Sequence, residues 1–335
     1  MNDNKIINSN PTERINISFS EYASKKKAVT ASHLQGGVPD YALPLEAVYR
    51  QKLTAIPGFF SLAKAMKSTV VPQIIKQMNL QSLKVGPNQL PEVYEMVRDC
   101  ANTLGIGIPQ CFIEYVDSYN EVTGKSRLNA YTIAYEDDTP IVVISSDMLE
   151  RATPEELKSI IGHECGHIHN NHGIYGIMSD ILVNATIMGA QYMFPAAMLN
   201  SLLALASKPL QYALQKLSRA QEITCDRAGM ICSEDPSITS KANVRLNFGM
   251  ALGKSDVDVD AFIKQFDAYK GSSIRFDELY ASHPLGARRA LASREFLNCE
   301  TLFSWRPELK TADTVVVSKQ EVDRRCAEYL SLKKQ

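Results

Sequence analysis

The amino-acid sequence predicts an α+β protein that is mostly helical and contains a small β-sheet. The run Ile-Val-Val-Ile at 141–144 is short, apolar and β-branched, which is typical of a buried strand. Helical segments are indicated at 45–82, after Thr153, around 219–228 and from Ser318, which begins a second capping-box pattern, Ser-Lys-Gln-Glu. No internal repeat is evident, so a repeat architecture is not expected.

The N-terminal part of the chain is predicted to be a tail followed by helices. Residues 1–40 are polar and end near Gly36-Gly37, which indicates a disordered or loosely attached segment. Residues 41–85 are predicted to form a helical N-terminal region. The first residues lack a basic segment followed by an apolar core, so no secretory signal is expected and the protein is expected to be cytoplasmic.

A helix with strong start signals follows the predicted strand. Thr153 is predicted to be its N-cap, Pro154 its first residue and Glu156 the glutamate of a capping box. Leu157 then begins an apolar stripe with helical spacing. The residues that come next therefore lie in the second and third turns of a helix.

Those turns contain the sequence His-Glu-Cys-Gly-His at 163–167. Because residues four apart lie on one face of a helix, His163 and His167 can present two imidazole nitrogens to one metal ion. Glu164 lies beside them, where it can act as a general base. The pattern is typical of zinc hydrolases and predicts one zinc ion per chain.

A catalytic zinc ion usually has three protein ligands and a water, so a third ligand is expected on another element. The segment 219–228 places Glu222 and Asp226 four residues apart among small and apolar residues, and Glu222 is the predicted ligand. Asp226 is suited to accept a hydrogen bond from the non-coordinating nitrogen of a ligand histidine. An acidic pair at this spacing most often belongs to a solvated helix face, and only the histidine motif favours the metal site here.

Three strings in this order carry a resemblance to a known family: G-H-E-C-G-H-I-H-N-N-H-G, R-A-Q-E-I-T-C-D-R-A-G and S-H-P-L-G-A-R-R-A. They resemble the signatures of the HtpX and CAAX-prenyl-protease family of zinc metallopeptidases, which are gluzincins. Segments at 85–97, 128–132 and 141–149 look like the helix, edge strand and second strand of the soluble bacterial branch. The resemblance covers about residues 42–300.

The resemblance implies a zincin-like metalloprotease core around the HExxH helix, with extra N- and C-terminal helices. It implies the same metal-binding, base and hydrogen-bonding roles, and it adds two predicted catalytic residues, His283 and Arg289. His283 matches a histidine thought to help stabilise the oxyanion, and Arg289 matches the arginine six residues later. Two departures are Cys165, where the family commonly has leucine, and 286–288, which replaces a more polar stretch.

A polypeptide substrate is expected. An extended peptide could lie along the predicted edge strand that contains Asn129, Ala130 and Tyr131, and could add to the sheet by backbone hydrogen bonds.

Four residues near the metal motif are predicted to have structural roles. His169 and His172, close to the end of the motif helix, are interpreted as solvated or helix-terminal histidines, although His172 matches a position of the resembled family. Cys165 and Cys225 lie inside the motifs but off the face that points to the metal. They are interpreted as small packing residues rather than ligands or redox groups.

Composition indicates the size of the core, the kinds of partner and the redox compartment. With 335 residues, 45% of them apolar, the chain can bury a large core. The net charge of −1 and the lack of a concentrated basic surface predict no nucleic-acid partner. Seven cysteines without a C-x-x-C pair fit a reducing compartment. The predicted parts are a polar tail (1–40), a helical region (41–85), a zinc metallopeptidase domain (86–300) and a C-terminal helical extension (301–335).

The apolar stretch 173–207 has several interpretations. It is long enough for one tilted membrane span, but Asp180 and Pro195 interrupt it and no comparable span precedes it. A buried helical hairpin or a homo-oligomer interface would also explain it. A soluble protein is favoured, and peripheral or integral membrane association is left open.

These observations together predict a zinc-dependent metalloendopeptidase that acts on unfolded or damaged proteins or on a specific processing substrate. Two alternatives are a catalytically latent module that binds peptides or a partner, and a membrane-associated processing protease. The presence of Glu164 argues against the first alternative, and the absence of upstream spans argues against the second.

Overall fold

The protein is mostly helical with a small mixed sheet, as predicted. The computed structural model describes residues 33–35, 38–115, 129–134, 139–173, 175–176, 208–248, 257–267 and 286–331. His283 and residues 177–207, which hold most of the apolar stretch, lie outside the described residues.

Helices are found where the sequence predicted a helical N-terminal region. A short antiparallel pair, β1 (Leu34–Gln35) and β2 (Val38–Pro39), comes first. Helices α1 (Leu45–Thr54) and α2 (Phe59–Gln81) follow. Gly58 joins them with φ of 82°, a left-handed conformation that glycine adopts without steric cost.

The main sheet has the order β3-β4-β6-β5. Its strands are β3 (Leu83–Lys84), β4 (Gln110–Glu114), β5 (Ala130–Ile133) and β6 (Ile141–Ser145). Strands β4 and β6 are parallel, and the other two pairs are antiparallel. Every residue of β6 is buried, which confirms the strand predicted from its apolar run. Among the described strands, β5 comes last in the sheet order.

Three helices follow the strands of the main sheet in the described chain. Helix α3 (Pro91–Leu104) starts with a proline, and the short α4 (Ser146–Arg151) leaves the end of β6. Helix α5 (Pro154–His169) has both hydrogen bonds of the capping box, between Thr153 and Glu156. The predicted start of the motif helix is therefore confirmed.

A long helix, α6 (Lys208–Cys232), packs closely along α5. Small residues make this approach possible. A Cβ added at Gly166 would lie 2.7 Å from Ala228 Cβ, and one added at Gly162 would lie 2.7 Å from Cys232 Cβ. The two helices that carry the predicted metal ligands are thereby held side by side.

The C-terminal helices follow α6 in the chain, and several of them pack against it. They are α7 (Ile238–Asn247), α8 (Val259–Asp267), α9 (Gly286–Leu297), α10 (Glu300–Trp305) and α11 (Lys319–Leu330). Ser318 caps α11 by accepting a hydrogen bond from the backbone N–H of Glu321, as the sequence predicted. Within the described ranges, no helix combines the length and the apolar character that crossing a membrane requires.

Candidate active site

Helices α5 and α6 bring three predicted ligands to one place. The Nε2 atoms of His163 and His167 lie 3.3 Å apart. The Glu222 carboxylate lies opposite, with one oxygen 3.7 Å from His163 Nε2 and the other 3.7 Å from His167 Nε2. The side chains of all three are largely buried.

This arrangement fits a zinc ion. Tetrahedral bonds of about 2.1 Å place ligand atoms about 3.4 Å apart, close to the separations found between these three donors. Two imidazoles and one carboxylate form a donor set typical of catalytic zinc. The Nδ1 atom of His163 contacts Asp226, and that of His167 contacts His172. The Nε2 atoms of both rings therefore face Glu222 and the space between the three side chains.

Cys225 also lies within reach of the two histidines, and its sulfur could complete a His-His-Cys group. Its Sγ, however, lies 3.4 Å from His172 Nδ1, and that nitrogen contacts the Nδ1 side of His167. Burial raises the pKa of the Cys225 thiol well above its usual range, and the charges of Glu222 and Glu46 add to the effect. The sulfur contacts the ring that lies at Nδ1 of His167, whereas the Glu222 carboxylate faces both Nε2 atoms, and this placement favours the carboxylate as the third ligand.

Glu164 is buried beside the ligands, with 6% of its surface exposed. Its Oε2 accepts a hydrogen bond of 2.7 Å from the hydroxyl of Thr132 on β5. Burial raises the pKa of Glu164 above its usual value, and the nearby charge of Glu222 acts in the same direction. The carboxylate is therefore a stronger base than an exposed glutamate.

Asp226 and Arg289 form an ion pair behind the ligands. Asp226 Oδ1 lies 3.0 Å from His163 Nδ1, and Arg289 Nε donates to Asp226 Oδ2 at 2.9 Å. Arg289 Nη1 also lies 3.1 Å from Glu222, and its Nη2 donates to Asn243 on α7. Burial alone would raise the pKa of Asp226, but the charge and hydrogen bonds of Arg289 hold that pKa below its usual value.

His169 and His172 lie at or just after the end of the motif helix, as one of the two interpretations expected. The other interpretation, that they are solvated, is wrong, because helix α1 and the segment before it cover both rings. His169, the last residue of α5, is 1% exposed and contacts the Tyr41 hydroxyl at 2.9 Å. His172 is 2% exposed and lies 3.0 Å from both His167 and Glu46. Burial lowers the pKa of His172, which keeps this ring neutral.

The predicted substrate strand lies next to Glu164. Ala130 and Tyr131 begin β5, and Asn129 immediately precedes it, with its carbonyl accepting a hydrogen bond from Ser145. The hydroxyl of Tyr131 donates to Glu114 at 2.9 Å. His283 falls outside the described residues, so its predicted position beside the site stays a prediction.

Sequence reasoning missed three residues of this site. Thr132 is in the Asn-Ala-Tyr-Thr string that suggested the edge strand, so its alternation with Ala130 could have indicated it. Glu46 and Asn243 lie far from the motifs in sequence, and nothing in their local pattern marks them.

Comparison with known proteins gives the family. The sequence profile of Peptidase family M48 matches residues 87–296, more than half of the chain. The chain belongs to peptidase family M48.

Two relatives show how far the similarity extends. The plastoglobule-localized metallopeptidase 48, chloroplastic, of Arabidopsis thaliana is 28% identical over 248 residues, which cover 74% of this chain and 64% of that protein. The protease HtpX homolog of Thermococcus sibiricus is 23% identical over 223 residues, 60% of this chain and 72% of that protein. The chain thus spans less than two thirds of the Arabidopsis protein's length.

Membership of M48, a family of metallopeptidases, confirms the resemblance to HtpX-like proteins that the motifs predicted. The M48 match includes both motif helices, β5 and Arg289. It does not include Glu46, which contacts the site from α1.

Proposed function

We propose that this M48 protein is a zinc-dependent metalloendopeptidase with a zincin-like core. Its substrates would be unfolded or damaged polypeptides or a specific processing substrate. The observation that carries the proposal is the set of three donors, His163, His167 and Glu222, facing one another beside the buried carboxylate of Glu164.

In this proposal, His163, His167 and Glu222 hold one zinc ion per chain. When bound, zinc supplies Lewis-acid chemistry, which lowers the pKa of water and polarises a carbonyl group. Asp226 accepts the Nδ1 hydrogen of His163 and so keeps the Nε2 lone pair directed at the site. Arg289 is a positioning residue, because it contacts Glu222 and Asp226 rather than the space where a substrate would lie.

Glu164 performs the proton transfers. It accepts a proton as a water molecule attacks the peptide carbonyl carbon, and it gives that proton to the nitrogen as the C–N bond breaks. The hydroxyl of Thr132 holds one oxygen of Glu164 in place during both transfers. His283, by resemblance, would help to stabilise the charge on the carbonyl oxygen.

The substrate would bind along the side of β5 that faces away from β6. Among the described strands, β5 comes last in the sheet order, and a peptide would add to that edge by backbone hydrogen bonds. Thr132 lies on the same strand and contacts Glu164, which places the general base next to this edge. A peptide that follows Asn129, Ala130 and Tyr131 would pass the base in extended form, as cleavage within a chain requires.

A reducing, cytoplasmic setting is part of the proposal. All seven cysteines are buried and free, which suits a compartment where thiols stay reduced.

Hydrolysis of casein by purified protein tests this function, with zinc content measured in the same samples. We expect wild type to hold about one zinc and to cleave, and Glu164→Gln to keep zinc but lose activity about 100-fold or more. Glu164→Asp, which keeps a carboxylate, is expected to retain part of the activity. If Glu164→Gln cleaves as well as wild type, the assigned base is wrong. If wild type holds zinc and cleaves nothing, a latent binding module replaces the proposed activity.

A further inference from the structure

The two ligand histidines are held in different ways. The Nδ1 atom of His163 contacts the Asp226 carboxylate directly, at 3.0 Å. The Nδ1 atom of His167 instead lies 3.0 Å from Nδ1 of His172, and Nε2 of His172 lies 3.0 Å from Oε2 of Glu46. A chain of contacts therefore runs from the Glu46 carboxylate through one imidazole to another.

The hydrogen positions along this chain follow from the chemistry of its two ends. If Nε2 of His167 offers its lone pair to a metal, the ring hydrogen is on Nδ1, which donates to Nδ1 of His172. His172 then carries its own hydrogen on Nε2, where it donates to Glu46. The ionised carboxylate of Glu46 can only accept hydrogen bonds. His167 therefore donates to His172, and His172 donates to Glu46.

We propose that Glu46 and His172 form a positioning relay that fixes the tautomer and orientation of His167 for zinc binding. The inference rests on the proposed role of His167 as a ligand. Neither relay residue touches the metal or the substrate, and both act through His167. The relay does for His167 what Asp226 does directly for His163.

The surroundings of the relay bury it and fix its carboxylate end. Glu46 is 4% exposed and His172 is 2% exposed, so bulk solvent has little access to either hydrogen bond. Arg50, one turn after Glu46, donates to the Glu46 carboxylate at 3.0 Å and to the Asn170 carbonyl at 2.8 Å. This arginine ties α1 to the end of the motif helix.

The relay extends the metal site beyond the segment that matches family M48. Glu46 is 126 residues before His172 and lies on α1, outside the matched residues 87–296. Helix α1 is therefore a functional part of the site and not only a structural addition.

Zinc affinity measured by competition with a chelator tests the relay. His172→Leu removes the acceptor for His167 and is expected to weaken zinc binding about 10-fold to 100-fold. His172→Asn places an amide oxygen near the position of Nδ1 and should retain most of the affinity. Glu46→Gln, nearly equal in volume, should weaken binding about 10-fold. Asp260→Asn, which breaks an exposed ion pair with Arg294, is the matched control and should bind like wild type.

A second measurement distinguishes a specific effect on His167 from a general loss of stability. In protein loaded with Co²⁺ in place of zinc, the ring N–H of each ligand histidine gives its own paramagnetically shifted, exchangeable proton signal. We expect two slowly exchanging signals in wild type. In His172→Leu and Glu46→Gln, the signal of His167 should exchange faster with solvent or disappear, while that of His163 stays unchanged.

The outcomes distinguish failure of the relay from failure of the proposed function. If His167→Ala binds zinc as tightly as wild type, the ligand assignment is wrong and the relay falls with it. If His167→Ala loses zinc while Glu46→Gln and His172→Leu keep wild-type affinity and both slow proton signals, the relay alone is overturned. Should His172→Leu fail to fold, Glu46→Gln decides by the same two measurements.

Discussion

At the level of single residues, the site combines ionisable groups whose pKa values are shifted by burial and by neighbouring charges. Glu164 and Cys225 are both buried, and burial raises both pKa values, but the outcome differs. For the carboxylate the shift strengthens a base, whereas for the thiol it favours the protonated, less reactive form in metal-free protein. Asp226 shows the opposite shift because the charge of Arg289 outweighs burial.

The hydroxyl of Thr132 offers a direct test of how Glu164 is held. Thr132→Val removes the hydrogen bond to the carboxylate while keeping the side-chain volume, and we expect kcat to fall about tenfold with zinc content unchanged. Thr132→Ser keeps the hydroxyl and serves as the control. Steady-state kinetics with zinc analysis on the same samples checks this, and an equal loss of activity in both variants would contradict it.

The ion pair of Asp226 and Arg289 predicts how stability depends on pH in metal-free protein. Because the pKa of Asp226 is lowered by folding, its ionised form stabilises the folded state above the unfolded pKa of about 3.9. This contribution is lost as pH falls through the lower, folded pKa. Asp226→Asn should therefore be less stable than wild type near neutral pH, and the difference should shrink below about pH 4. Urea unfolding across pH measures it, and a difference independent of pH would contradict the assignment.

At the scale of elements, the contact between α5 and α6 sets the geometry of the metal site. His163 and His167 are on one helix and Glu222 is on the other, so the distance between their donor atoms depends on how closely the helices pack. Gly162 and Gly166 occupy the contact positions where a side chain would meet α6. Strand β5 completes the site by holding Glu164 from the sheet side.

Gly166→Ala tests this packing. The new methyl group would lie 2.7 Å from Ala228 Cβ and 3.1 Å from Cys225 Cα, so the helices must separate. We expect the free energy of unfolding to fall by about 1–3 kcal/mol, despite the better helix propensity of alanine, and zinc affinity to fall with it.

Gly176→Ala is the matched control for Gly166→Ala. Around Gly176, no described heavy atom lies within 4 Å of an added Cβ, and its effect on stability should stay within about 0.5 kcal/mol. Chemical denaturation and chelator competition check both variants. Equal effects of the two substitutions would contradict the packing argument.

At the scale of the whole molecule, both ends of the described chain contact the helix that carries Glu222. The buried guanidinium of Arg227 on α6 donates to the Tyr41 carbonyl at 2.9 Å and to Asp323 on α11 at 2.7 Å. One side chain thus joins the N-terminal segment, the core and the C-terminal helix. Regions outside the M48 match are therefore integrated into the support of the site.

Substitutions in the Arg227–Asp323 pair test how much this connection contributes to the free energy of unfolding. Asp323→Ala leaves a buried guanidinium that has lost its carboxylate, and we expect a loss of about 3 kcal/mol in the free energy of unfolding. The double variant Arg227→Met with Asp323→Leu replaces both charges with apolar groups and should recover most of that loss. Guanidinium denaturation of Asp323→Ala and the double variant beside wild type checks this. A double variant as unstable as Asp323→Ala would contradict it.

The sequence was informative wherever the determining contacts are local. The capping box of Thr153, the buried strand at 141–144 and the cap at Ser318 are short-range patterns, and all three are found. The spacing of His163 and His167 is likewise fixed by the helix itself. The contact of Glu46 with His172 joins residues 126 positions apart, and no periodicity predicts such a pair.

Zinc stoichiometry and affinity, measured side by side in wild type, Glu222→Ala and Cys225→Ser, identify the third metal ligand. The geometry predicts about one zinc in wild type, loss of tight binding in Glu222→Ala and wild-type binding in Cys225→Ser. Circular dichroism of each sample confirms that the variants are folded. If Cys225→Ser loses zinc while Glu222→Ala keeps it, the site is a His-His-Cys centre and Glu222 is not the third ligand.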